Sequence, residues 1–136
     1  MNPEHNTSYD CFSHPVLLVD QSNACKITAQ TLFNKGYYVT TIPTLEELFL
    51  YIEDLLVSIS EDDMIETPII VIKSTSKGKL KLQNTVALMR DIFTDIKMVL
   101  LSDEHIHTRD FDLTLNETIV ADKLCYHLRT LSPLVF

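Results

Sequence analysis

At 136 residues, with 46% hydrophobic and 22% charged residues, the chain reads as one globular domain, long enough to bury a core and too short for two. A net charge of −8 argues against a nucleic-acid grip by this domain, and no apolar run reaches the roughly 18–20 residues of a membrane span. Three cysteines without a C-x-x-C spacing (Cys11, Cys25 and Cys125) fit neither a disulfide framework nor a zinc knuckle, and with the polar start Met1–Asn6 they lead us to expect a cytoplasmic protein with reduced thiols.

Residues 1–14 are polar and aperiodic and are expected to form a flexible tail, with the folded domain over 15–136. Pro15 to Val19 is an apolar run without in/out alternation, as in a parallel strand buried on both faces, and it ends at Asp20. Ser22 and Asn23 are candidate caps for a first helix with Cys25, Ala29 and Leu32 inward and Gly36 as its stop. Tyr37 to Ile42 is β-branched and aromatic, the composition of a second strand. Pro43 breaks it, and Thr44 with Glu47 makes a capping box for a second helix striped by Leu45, Leu48, Ile52 and Leu55. An acidic connection, Glu61–Glu66, leads to the run Pro68 to Ile72, which ends at Lys73.

A loop, Ser74–Lys79, then precedes a third helix with Val86, Met89 and Phe93 inward. Met98 to Leu101 is a fourth strand ending at Ser102. In Glu104–Asn116 the apolar residues Phe111, Leu113 and Leu115 alternate at period two, so a fourth helix there is expected to be short or distorted. Thr118 to Asp122 reads as the fifth strand, ending at Lys123, and Leu124, Leu128 and Leu131 mark a last helix that stops before Pro133. Strands alternating with helices, joined by right-handed crossovers, give an α/β fold with a five-stranded parallel sheet and helices on both faces.

That layout, with Asp20 and Gln21, Lys73, Ser102 and Lys123 at the strand ends, resembles the receiver domain of bacterial response regulators over roughly residues 15–131. The resemblance implies a flavodoxin-like, receiver-like sheet of order 2-1-3-4-5. In receivers the first strand ends in an acidic pair, the third in the phosphoacceptor aspartate, the fourth in Ser or Thr and the fifth in lysine. Here the phosphoacceptor slot holds Lys73 and half of the acidic pair is Gln21. The interval from Asp20 to Lys73 is long, as an insertion around Glu61–Glu66 would make it. Val120 takes the place of the aromatic switch residue, and Leu124 that of the proline after the lysine.

Phosphoryl transfer to a carboxylate needs that carboxylate in line with the donor, and a divalent cation held by hard oxygens. Lys73 offers no such oxygen, so the expectation is a degenerate receiver pocket of Asp20, Gln21, Lys73, Ser102 and Lys123, with no metal, no cofactor and no catalytic residue. The plain role of Lys73 is to pair with Asp20 and hydrogen-bond Ser102, since a buried charge must be compensated. A second role is an anion or nucleotide site built from Lys73, Lys77, Lys79 and Lys81. Gly78-Lys79 lacks the P-loop frame, His105-x-His107 lacks further ligands, and Ser102 with His105 lacks an orienting third group. Cys25 and Cys125, near the starts of neighbouring helices, read as buried thiols that could approach each other.

The functional expectation is therefore not an enzyme but a phosphorylation-independent interaction or regulatory module in bacterial signalling or transcription control. Its partner would be a protein: its own output domain, a kinase or a second copy in a homodimer. The alternative is the anion or nucleotide sensor.

Overall fold

Three of the five strands arise from apolar runs with both faces covered, and burial explains why those runs do not alternate. The computed structural model describes residues 14–58, 67–76, 82–93, 95–103 and 111–131. The strands are β1 (His14–Val19), β2 (Tyr37–Ile42), β3 (Ile69–Lys73), β4 (Lys97–Leu101) and β5 (Leu113–Leu115), all parallel in the order β2-β1-β3-β4-β5. The helices are α1 (Cys25–Asn34), α2 (Leu45–Ser58), α3 (Leu82–Ile92) and α4 (Ala121–Leu131), with a 3-10 turn at Ser74–Ser76. The tail expected over 1–14 lies outside the described residues except for His14, which begins β1.

Successive strand residues feed two cores. Leu17, Val19, Ile70, Ile72, Met98 and Leu100 pack under α2 and α3. Their neighbours Val16, Leu18, Ile69, Val71, Val99 and Leu101 pack under α1 and α4. Each such side chain contributes about 1.5–3 kcal/mol by leaving water, against the entropy of ordering the chain.

Gly36 ends α1 at φ 104°, where a Cβ would clash, so the turn into β2 needs glycine. Ser22 and Asn23 do not cap α1: the cap position is Ala24, without a side-chain hydrogen bond, because the Ser22 hydroxyl is engaged by Lys73. Thr44 does cap α2, its Oγ1 accepting the Glu47 amide at 3.4 Å.

The fifth strand is not where the sequence places it. Leu113–Leu115 forms β5, while Thr118 lies in a turn, Ile119 and Val120 are irregular and Ala121 already begins α4. Part of the expected fourth helix, 104–110, lies outside the described residues, and residues 111–115 form a bend and this strand. Asp112 anchors the strand: its amide donates to the Met98 carbonyl at 2.9 Å, and its Oδ2 accepts the Met98 amide at 2.7 Å and Arg90 Nη2 at 3.3 Å. Arg90 also donates to the Ile96 carbonyl at 3.3 Å, so one guanidinium joins α3 to the starts of β4 and β5.

The α1–α4 core holds three neutral acids. Burial first, then Cys125, pushes the Tyr37 phenol up to about 12, against the pull of Arg129. Burial raises both thiols, Cys25 with help from Asp20 and against Lys73, and Cys125 against Arg129 and Lys35 with some help from Asp122. An acid whose pKa is raised by folding stabilises the fold fully below its ordinary value and loses that contribution as pH climbs through the folded value. The ordinary values are 9.0 for the thiols and 10.0 for the phenol, so these three groups should leave the melting temperature unchanged between neutral pH and pH 9.0 and lower it above that. Tyr37→Phe should flatten the part of the fall above pH 10.0. A melting temperature that stays level to pH 12 in calorimetry contradicts this.

Candidate functional site

The carboxyl ends of the strands bring four of the five expected pocket residues to one edge of the sheet. Asp20 follows β1, Gln21 follows Asp20, Lys73 is the last residue of β3 and Ser102 follows β4. Register aligns them, since Val19 pairs with Ile72 and Lys73 with Leu101. Asp20 and Ser102 are each only 6% exposed, and Lys73 is half-buried.

Lys123 does not join them. It lies exposed in the first turn of α4, because the run taken for a fifth strand leads into that helix. The same shift removes Val120 and Leu124 from the positions expected of them beside a fifth strand: Val120 precedes α4, and Leu124 is buried within it. The residue that follows β5 is Asn116, whose Oδ1 accepts the Thr118 amide at 2.8 Å and the Thr118 hydroxyl at 2.6 Å. Its signal in the sequence was the alternating Leu113-Thr114-Leu115 followed by a turn-forming asparagine. Ser102 is tied to β5 through its amide, which donates to the Leu115 carbonyl at 2.9 Å.

Lys73 is held differently from the expected pairing. Its Nζ donates to Ser22 Oγ at 3.2 Å, and the Ser22 amide donates to Asp20 Oδ1 at 2.8 Å. Among the described residues the ion pairs do not include one between Lys73 and Asp20. The carboxylate turns onto the amide two residues ahead, a favoured local geometry for aspartate, and the serine stands between the two charges. Both charges act on the Cys25 thiol, so the first residue of α1 lies beside the pocket. A further link, Gln21 Nε2 donating to the Thr75 carbonyl at 3.5 Å, spans from the β1–α1 loop to the turn after β3. Two contacts therefore link the β1–α1 loop to the end of β3 and to the turn that follows it.

Lys77, Lys79 and Lys81 lie outside the described residues, as do His105 and His107. Cys25 and Cys125 are buried free thiols that feel different charges, Asp20 and Lys73 in one case, Arg129, Lys35 and Asp122 in the other. No helix among the described residues is long and apolar enough to cross a membrane.

No protein-family model matches the chain, and no curated protein matches it in sequence. Solved structures do match. A response regulator from Thermotoga maritima, solved in complex with Mg(2+)-BeF, is 17% identical, with a TM-score of 0.63 over 87% of this chain and 98% of that one. A receiver domain from Clostridium thermocellum is 13% identical, with a TM-score of 0.66 over 87% and 93%. The receiver domain of a histidine kinase from Syntrophus aciditrophicus is 15% identical, with a TM-score of 0.64 over 88% and 89%. The chain thus has the receiver fold, including the five-stranded order expected from its sequence.

The donor set at the strand ends does not fit the magnesium held by the Thermotoga protein. Asp20 supplies the one carboxylate among Asp20, Gln21, Lys73 and Ser102, and one of its oxygens already accepts an amide. The Lys73 ammonium beside it offers charge of the wrong sign and no oxygen.

Proposed function

We propose that the chain is a phosphorylation-independent pseudo-receiver, a protein interaction or regulatory module of bacterial signalling or transcription control. The observation that carries this reading is Lys73 at the end of β3, bound to Ser22, with Asp20 turned onto the same residue. A lysine there cannot become an acyl phosphate, and the contacts Lys73–Ser22 and Gln21–Thr75 link the two strand ends without any phosphoryl group. The module would then dock through a surface that is always present, on its own output domain, on a kinase or on a second copy. The engagement of Lys73 with Ser22 favours this over an anion or nucleotide sensor, in which Lys73 would turn with Lys77, Lys79 and Lys81 toward a ligand.

Exposure to acetyl phosphate with magnesium should leave the intact mass unchanged, and beryllofluoride with magnesium should leave the amide NMR spectrum unchanged. A stoichiometric phospho-adduct, or a beryllofluoride-induced shift centred on Asp20 and Lys73, overturns the pseudo-receiver reading.

A further inference from the structure

β2 is one edge of the sheet, and its sequence leaves that edge open. Tyr37-Tyr38-Val39-Thr40-Thr41-Ile42 contains aromatic and β-branched residues and no charge or proline, whereas edges are ordinarily blunted by lysine, proline or a bulge. The Ile42 carbonyl points inward, accepting the Asp20 amide. Because peptide direction alternates along a strand, the N–H and C=O of Val39 and Thr41 point outward. Among the described residues no strand pairs with that side.

Beside this edge a groove of about 300 Å³ runs between β2 and α2, lined by Thr40, Thr41 and Ile42 on one wall and Glu47, Leu50 and Asp54 on the other. Glu47 and Asp54 are two helical turns apart and share a face, with Leu50 between them and 55% exposed. α2 also carries Glu46 and Glu53, and no lysine or arginine.

Charge decides what the groove can hold. A second copy added antiparallel at β2 would continue the sheet and set two α2 helices side by side on one face. Glu47 and Asp54 of each, both lining the groove side, would then come together and repel. A segment of opposite charge meets no such barrier. Its backbone would pair with Val39 and Thr41, its cations, all on the side toward α2, would reach Glu47 and Asp54 with their methylene stems over Leu50, and its apolar side chains would lie on the opposite face of the sheet, beside Val39.

We propose that the β2–α2 groove takes up an extended segment of a partner protein, alternating Lys or Arg with apolar residues, as an added strand. This deepens the reading of the chain as an interaction module, on which it rests, by naming a surface and the chemistry of its partner.

The test is a fluorescence-anisotropy titration with a labelled, capped peptide of alternating Lys and Val. The peptide should bind saturably, and its Glu-Val counterpart should not. Glu47→Lys/Asp54→Lys should weaken binding by at least about tenfold. Asp91→Lys/Asp95→Lys makes the same change in net charge at exposed positions outside the groove and should change binding far less. Methylating alternate backbone nitrogens of the peptide, which blocks strand pairing and leaves its charge intact, should also weaken binding at least about tenfold. The proposal is overturned if no saturable binding occurs, if the two lysine pairs have equal effects, or if the methylated peptide binds as well as the parent. A dimer of the chain that Thr41→Pro dissolves would assign the edge to a second copy instead. The two readings fail separately: a phospho-adduct sinks the pseudo-receiver, and loss of discrimination among these probes sinks the groove.

Discussion

Replacing Gln21 and Lys73 together by aspartate should make the melting temperature depend on magnesium, whereas that of the parent protein should not respond to it. The substitution removes the charged donor bound to Ser22, a contact worth about 1.5–3 kcal/mol. It also sets three carboxylates, with Asp20, at adjacent strand ends, and their mutual repulsion adds to the loss. Without a divalent ion the variant should therefore melt well below the parent. Three converging carboxylates are also the hard-oxygen set that magnesium requires. An ion that binds only the folded state returns about 2.7 kcal/mol at a hundred times its dissociation constant. For a domain of this size each kcal/mol moves the midpoint by roughly 4 °C, so the expected rescue is on the order of 10 °C. Differential scanning calorimetry in EDTA and in saturating magnesium measures it. Lys73→Ala is the control: it loses the Ser22 contact but should gain no response to the ion. Equal stabilisation of parent and double variant by magnesium, or none in either, would falsify the account of the pocket.

The parts of the molecule that could be read from its sequence are those where one physical demand dominates. β1, β3 and β4 are covered on both faces, so their apolar runs carry no alternation and cannot be confused with surface segments. The turn at Gly36 and the cap at Thr44 follow from backbone chemistry alone. Since the carboxyl ends of parallel strands share one edge, the meeting of Asp20, Gln21, Lys73 and Ser102 follows from strand order. β5 escaped because an edge strand has weaker demands. Its three residues are only half-covered, so Leu113-Thr114-Leu115 alternates, and in a chain whose buried strands are continuous runs that alternation reads as a poor helix. The more apolar Thr118-Ile119-Val120 then took its place, and Lys123 was drawn to the site with it. The Lys73 contact was hidden for a different reason. Which of two nearby groups an ammonium meets depends on the turn between them, and the turn at Asp20 points its carboxylate at the Ser22 amide.

The misplaced strand has a consequence large enough to test by substitution. Val99 is fully buried on β4 between β3 and β5, whereas Val120 is 59% exposed just before α4. Had Thr118 to Asp122 been the fifth strand, an aspartate at either valine would place a charge in or against the sheet. With the strand at Leu113–Leu115 the two substitutions should have opposite signs. Val99→Asp buries an unpaired carboxylate at a cost of several kcal/mol. That is comparable with the entire stability of a small domain, about 5–15 kcal/mol, so the variant should be largely unfolded. Val120 occupies the cap of α4, its carbonyl accepting the Leu124 amide at 3.0 Å. Valine is among the poorest residues at that position and aspartate among the best, because its side chain can satisfy a free amide of the first turn and its charge complements the helix dipole. Val120→Asp should accordingly raise stability by about 1 kcal/mol. Urea denaturation of the pair measures both effects, and a Val120→Asp variant destabilised by several kcal/mol would return the fifth strand to Thr118–Asp122.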